Sequence, residues 1–252
     1  MMMDGDAPRP VGLSYFVSRV LVGLLGLALP WLIILAYALS PTEGAGPQPL
    51  TSISIYAWTD ANIVFKLIMG LIGAFLIGNC VVCYVDRCWT EAIYGLVSGA
   101  SALIIVVART GVDGERAKIF CPDKIACGNS TAHAIATAVF MVTMIGYAIW
   151  FFVREPGHRY FEAIRKFPIK IFYIFMGFII ALMFIWIAFA SVSFLSNLLP
   201  PSLGWIATSG VFWPEAVAVS AFGFAWLVKG AMMREARGLS LSLILRRIGL
   251  IR

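Results

Sequence analysis

Charged residues are scarce in this chain. Asp, Glu, Lys and Arg make up 13% of its 252 residues, whereas hydrophobic residues make up 61% and the mean hydropathy is +0.91. Soluble globular domains usually have about 25% charged residues, so the composition excludes a soluble domain. The apolar runs are long and continuous, which fits membrane helices and excludes a β-barrel. We predict an all-α, polytopic membrane helix bundle that forms one transmembrane domain over residues 1–252.

Histidine is also rare, with only His133 and His158 in the sequence. The chain has no haem-attachment motif, P-loop, Rossmann fingerprint or nucleophile elbow, so no haem or nucleotide cofactor is predicted. The net charge of +6 would favour nucleic acid as the partner of a soluble protein. In a membrane protein, basic residues report orientation and contact with anionic lipid, so no nucleic-acid partner is predicted.

Six apolar runs predict six transmembrane helices, at about 15–38, 61–85, 92–107, 132–153, 171–195 and 213–232. Both termini then share one side, which also holds all but five of the 19 Lys and Arg residues. The exceptions are Lys66, Arg109, Arg116, Lys118 and Lys124. The positive-inside rule therefore predicts cytoplasmic termini. Residues 234–252 form a basic tail predicted to lie on anionic lipid, with a partner-binding helix as the alternative.

Two cysteines lie in the loop after the third span. This loop is on the predicted oxidising side, so a disulfide between Cys121 and Cys127 is expected. Small residues indicate helix packing at Gly70, Ala74 and Gly78 in the second span and at Gly95 and Gly99 in the third.

The stretch TSISIYAWTDAN, residues 51–62, precedes the second span. Ser52, Ser54 and Tyr56 alternate with isoleucines, a period of two that predicts an extended segment. Thr59 or Asp60 is the predicted N-cap of the following helix. The sequence places no base beside the serines, so they are interpreted as hydrogen-bonding groups rather than nucleophiles.

Polar residues open each of the three spans that begin on the outer side. They are Asp60, His133 and Glu215, while Arg109 ends the third span there and Lys66 follows Asp60. Together with the serines and Tyr56 they predict an outer pocket for a small ligand or lipid headgroup. Helix N-termini favour an anionic group there, with Arg109 and Lys66 assisting. Singly, each residue has an alternative role as a helix cap or as a charge at a helix dipole.

A single metal ion is the second interpretation of the same residues. Asp60, His133 and Glu215 are suitable ligand types that could leave one position for water. This would make the chain a metal-dependent membrane hydrolase acting on a lipid or amide. The first interpretation is a non-catalytic protein that binds or conducts the ligand, or an accessory subunit with membrane protein partners. The residues leave open whether the protein is an enzyme.

The sequence resembles an uncharacterised family of bacterial six-helix integral membrane proteins. The likeness rests on SISxY at residues 52–56, the Asp and His that open spans two and four, and FWxEAxAxxAFGxxWLxKG at residues 212–230. It implies the six-helix fold and a bacterial inner (plasma) membrane, but no activity. A more distant likeness is to alkaline ceramidase and adiponectin-receptor type hydrolases, with Ser52 or Ser54, Asp60 and His133 matching their zinc-site residue types. Those proteins have seven helices and an HxxxH pair, and this chain has neither.

Overall fold

The described part of the computed structural model is helical and contains no strand. It covers residues 13–40, 49–85, 89–108, 130–154, 163–192, 195, 197–198, 200–203, 206 and 210–235. The long helices are α1 (Leu13–Ala38), α2 (Asn62–Val85), α3 (Trp89–Val107), α4 (Ser130–Gly146), α5 (Ala163–Ser191) and α6 (Phe212–Glu235). Helix α4 continues through a π-helical turn, Tyr147–Phe151, into Phe152–Arg154, and two 3₁₀ helices span Ile53–Trp58 and Pro201–Leu203. The predicted all-α class is confirmed for these residues.

Five of the helices are long and apolar enough to cross a membrane. These segments are Val17–Ala38, Asn62–Val81, Trp89–Val107, Thr131–Phe151 and Ile169–Ser191. Helix α6 has 24 residues but is not among them, and it carries the buried side chains of Glu215 and Lys229. The chain is therefore a helical protein with several potential membrane spans.

The helices pack in chain order into a ring. Each of α1 to α5 contacts the next helix, and α6 closes the ring against α1. Large side chains such as Leu29, Phe65 and Trp226 are fully buried inside. Large apolar side chains such as Leu67 and Phe178 are exposed on the outside, where hydrocarbon rather than water would be their solvent.

Two helix pairs approach closely enough that only glycine fits. A Cβ on Gly223 of α6 would lie 2.7 Å from the Gly23 carbonyl oxygen of α1, and a Cβ on Gly99 of α3 would lie 2.7 Å from the Gly73 oxygen of α2. The packing predicted for Gly99 is therefore observed. The stripe predicted on α2 is not in contact, because a Cβ on Gly70 or Gly78 would meet nothing within 4 Å.

Helix boundaries follow the apolar runs, with the largest difference at α5. It begins at Ala163, eight residues before the predicted start at residue 171, so Lys170 lies in the helix rather than in a loop. The backbone can continue helical beyond the hydrocarbon because Arg and Lys are good helix formers. The predictions for Arg109, the Cys121–Cys127 disulfide and the tail beyond residue 235 lie outside the described residues.

A pair of buried cations lies at the end of the bundle away from the Ile53–Trp58 helix. Arg19 of α1, with 1% of its side chain exposed, bonds Glu91 of α3 at 2.9 Å, and its guanidinium group lies 5.6 Å from the Trp226 ring centroid. Lys229 Nζ donates to the Phe152 carbonyl oxygen at 3.2 Å. Ion pairing and aromatic faces thus compensate charge inside the ring.

Candidate functional site

The segment that leads into α2 is a short 3₁₀ helix, Ile53–Trp58, with Ser52 as its N-cap. The Ser52 Oγ accepts a hydrogen bond from the Ser54 N–H at 3.1 Å, and the Ser52 carbonyl accepts one from the Ile55 N–H at 3.3 Å. The predicted extended conformation is therefore wrong. No strand among the described residues could pair with an extended segment, whereas 3₁₀ turns satisfy the backbone locally.

Thr59, one of the two predicted caps, caps the start of α2. Its Oγ1 accepts a hydrogen bond from the Ala61 N–H at 3.2 Å, and its carbonyl accepts one from the Asn62 N–H at 3.0 Å. Asp60, the other candidate, is exposed, and its carboxylate accepts a hydrogen bond from the Ser40 hydroxyl at 2.5 Å. Asp60 thus ties Ser40, two residues after the end of α1, to the start of α2.

Glu215 fixes the 3₁₀ helix to α6. It lies in the first turn of α6, directly after Pro214, with 7% of its surface exposed. The Ser52 hydroxyl donates to the carboxylate, with its Oγ 2.9 and 3.0 Å from the two oxygens, and the Ile53 N–H donates at 2.6 Å. The Ile53 amide is at the start of the 3₁₀ helix, where an amide has no intrahelical partner. Glu215 therefore acts as a cap supplied by another helix, and the two donors compensate its burial.

His133 joins the same 3₁₀ helix to α4 and to the end of α3. Its Nε2 lies 2.9 Å from the Ser54 Oγ, and its Nδ1 lies 2.6 Å from the Ala108 carbonyl oxygen. A carbonyl oxygen can only accept, so Nδ1 carries a hydrogen. In the neutral ring Nε2 then has the free lone pair, and the Ser54 hydroxyl donates to it. Both side chains are buried, with 8% of Ser54 and 6% of His133 exposed.

Tyr56 is a packing residue of the 3₁₀ helix. It is fully buried, its hydroxyl oxygen accepts a hydrogen bond from the Leu50 N–H at 3.0 Å, and its ring packs edge-on against Tyr37 at 5.4 Å between centroids. Burial raises the pKa of Tyr56, and the Leu50 hydrogen bond opposes this effect. The phenol is therefore neutral at physiological pH and helps to hold the segment in place.

The structure brings together only some of the predicted site residues. Ser52, Ser54, His133 and Glu215, here called the serine cluster, form a continuous hydrogen-bonded group. Lys66 is half-buried on α2, and within the described residues no hydrogen bond or ion pair joins it to Glu215. The predicted role of Arg109 in the outer pocket stays a prediction, because this residue lies outside the described part of the chain.

The residues do not fit the predicted metal site. Among the described residues, no group of three His, Cys, Asp or Glu side chains could hold a metal ion. Glu215 is hydrogen-bonded to Ser52 and His133 to Ser54, while the Asp60 carboxylate accepts a hydrogen bond from Ser40.

Several partners in this region could not be found from the sequence. The Ala108 carbonyl and the Ser40 hydroxyl carry no motif, and Ser54 and His133 are 79 residues apart in the chain. The positions of His133 and Glu215 at the starts of their helices were the available signals, because they predicted that both lie at one end of the bundle.

No family model, curated protein or solved structure matches the chain.

Proposed function

We propose that this protein is a six-span membrane protein of a bacterial inner membrane, with both termini in the cytoplasm and the serine cluster on the outer side. Support for six spans comes from α6, whose 24 residues pack along α1 and close the ring formed by the five apolar helices. Support for the orientation comes from the Lys and Arg distribution. Ser40, just after α1, donates a hydrogen bond to Asp60, just after the 3₁₀ helix that carries the two serines. The C-terminal end of α1 therefore lies at the same end of the bundle as the serine cluster.

On this outer side the serine cluster binds the headgroup of a lipid or another small polar ligand. One observation carries this function: two serines on a short 3₁₀ helix contact an imidazole and a carboxylate that come from two different helices. Buried polar groups at a membrane helix end are costly, and they are common at binding sites. The four side chains offer a ligand both hydrogen-bond donors and acceptors at one depth.

The cluster favours a headgroup that donates hydrogen bonds, such as an ammonium or a polyol. Glu215 presents a carboxylate, and the neutral His133 ring presents Nε2 as an acceptor toward Ser54. A ligand hydroxyl or ammonium can take the place of the Ser52 hydroxyl on Glu215 without leaving that carboxylate unpaired. An anionic group, which the sequence favoured, would instead meet the Glu215 carboxylate.

Native mass spectrometry of the full chain extracted in lipid nanodiscs tests this function. We expect the wild-type protein to retain a bound lipid or small molecule, with its occupancy reduced about tenfold in Glu215→Gln, a loss of about 1.4 kcal/mol. Asp60→Asn is the matched control, because Asp60 is an exposed carboxylate bonded to Ser40. Equal occupancy in all three proteins contradicts the proposal. Co-purification of another membrane protein without any bound ligand would indicate an accessory subunit instead.

A further inference from the structure

The contact between Ser54 and His133 has the geometry of a nucleophile and its base. The Ser54 Oγ lies 2.9 Å from His133 Nε2, within the range of about 2.6–3.2 Å expected for such a pair. A nucleophile–base pair also needs a third group that orients the base. Here the Ala108 carbonyl oxygen, 2.6 Å from Nδ1, fixes the orientation of the ring. We propose that Ser54 is a nucleophile activated by His133 and that the pair hydrolyses carboxylic esters without a metal ion. This inference rests on the proposed function of the serine cluster as a binding site.

The hydrogen bond to Ala108 selects the tautomer that the reaction needs. With the hydrogen on Nδ1, the Nε2 lone pair faces the Ser54 hydroxyl and can accept its proton. In the alternative tautomer, Nε2 would carry the hydrogen and Nδ1 would face a carbonyl oxygen with no hydrogen between them. A backbone carbonyl thus positions the imidazole here, the task that a third side chain performs in other nucleophile–base systems.

The neighbouring serine does not have an equivalent base. The Ser52 hydroxyl donates to Glu215, but the same carboxylate oxygen also accepts the Ile53 N–H at 2.6 Å, so it is already shared between two donors. Ser52 Oγ in turn accepts the Ser54 N–H and so helps to hold Ser54 in place. The geometry therefore points to Ser54 as the nucleophile and to Ser52 as a positioning residue.

The reaction is an ordinary two-step hydrolysis. Ser54 Oγ attacks the ester carbonyl carbon as its proton moves to His133 Nε2, and the C–O bond to the alcohol breaks while Nε2 returns the proton to the leaving alcohol oxygen. Water then gives a proton to Nε2 as its oxygen attacks the acyl carbon, and Ser54 Oγ leaves and recovers the proton. The products are a carboxylic acid and an alcohol, and water is the only co-reactant.

An apolar groove on the outer face of the bundle indicates the substrate class. It has a volume of about 410 Å³, lies between α1, α5 and α6, and is lined by Trp31, Met176, Trp213 and Val217 among others. Trp213 and Val217 lie on the exposed face of α6, whereas Glu215 on the same helix is buried inside the bundle. The size falls within the range of small-molecule sites, and an acyl chain matches the apolar lining. The expected substrate is therefore an ester with an acyl chain, delivered from the membrane.

A fluorophosphonate probe applied to the full-length protein in nanodiscs tests the inference. We expect one covalent adduct on the wild-type chain, located on Ser54 by peptide mapping. Ser54→Ala should abolish labelling, and His133→Gln should slow it by about 100-fold or more, the usual contribution of a general base. Ser101→Ala is the matched control and should label like wild type, because Ser101 is a buried serine within α3 whose hydroxyl donates to Val97.

Peptide mapping on the wild-type chain requires no variant to fold, so it decides the question by itself. No adduct, or an adduct on a residue other than Ser54, overturns the inference. Hydrolysis of a p-nitrophenyl acyl ester that persists in EDTA and is lost in Ser54→Ala would support it, whereas loss of hydrolysis in EDTA would overturn the metal-free mechanism. A chain that retains its bound ligand but takes no probe disproves the nucleophile and leaves the binding function intact.

Discussion

Replacing Glu215 with alanine should release the 3₁₀ helix from α6. The substitution removes the acceptor of the Ser52 hydroxyl and of the Ile53 N–H and leaves both donors in a buried environment. Each buried donor left without an acceptor costs about 1–3 kcal/mol, so the two together cost about 2–6 kcal/mol. Removing a buried polar group offsets part of this loss, and we expect a net destabilisation of about 2–4 kcal/mol. For a chain of this size that corresponds to a fall in Tm of roughly 5–15 °C.

Hydrogen exchange and thermal unfolding together locate this effect. In Glu215→Ala the amides of Ile53–Trp58 should exchange faster, and Glu215→Gln should lie between alanine and wild type because its amide oxygen can still accept the Ile53 N–H. Asp60→Ala should stay within about 0.5 kcal/mol of wild type, as expected for an exposed side chain. If Glu215→Ala and Asp60→Ala unfold at the same temperature and exchange alike, Glu215 does not hold the segment.

Two further predictions concern helix packing and topology. Gly223→Ala should destabilise the fold by about 1–3 kcal/mol, measured as a lower Tm, because the new Cβ would lie 2.7 Å from the Gly23 oxygen. In Gly78→Ala the new Cβ would meet nothing within 4 Å, so the higher helix propensity of alanine should raise stability by up to about 1 kcal/mol. Intact mass after alkylation should show that Cys121 and Cys127 react only after reduction. Alkylation of both without a reductant would contradict the proposed outer, oxidising location of their loop.

The helices themselves were predictable because each apolar run has the length that a membrane span requires. In lipid the backbone must satisfy its own hydrogen bonds, so a run of this kind has few alternatives to a helix. The end of the bundle that holds His133 and Glu215 was predictable for the same reason, since alternating spans place their first residues on one side. Helix ends that extend past the apolar run were not predictable from it, and α5, which begins at Ala163 rather than at residue 171, is an example.

The rotation of each helix about its axis was not predictable. In water the apolar face of a helix is the packed face, but in lipid both the packed face and the outer face are apolar. The packing face predicted for the second span was Gly70, Ala74 and Gly78, but Gly73 is the residue that contacts α3. The same uncertainty applied to His133, because its partner depends on how α4 is rotated.

The conformation of residues 52 to 58 decides which helices the two serines can reach. In an extended segment, residues two positions apart point to the same side, so Ser52 and Ser54 would both face one helix. In the structure only Ser52, the N-cap, is extended, and the 3₁₀ turns begin at Ile53, so the Ser52 and Ser54 side chains point in different directions. This divergence lets Ser52 reach Glu215 on α6 while Ser54 reaches His133 on α4. A single short helix can thus bridge two long helices, and of the two serines only Ser54 is placed against an imidazole.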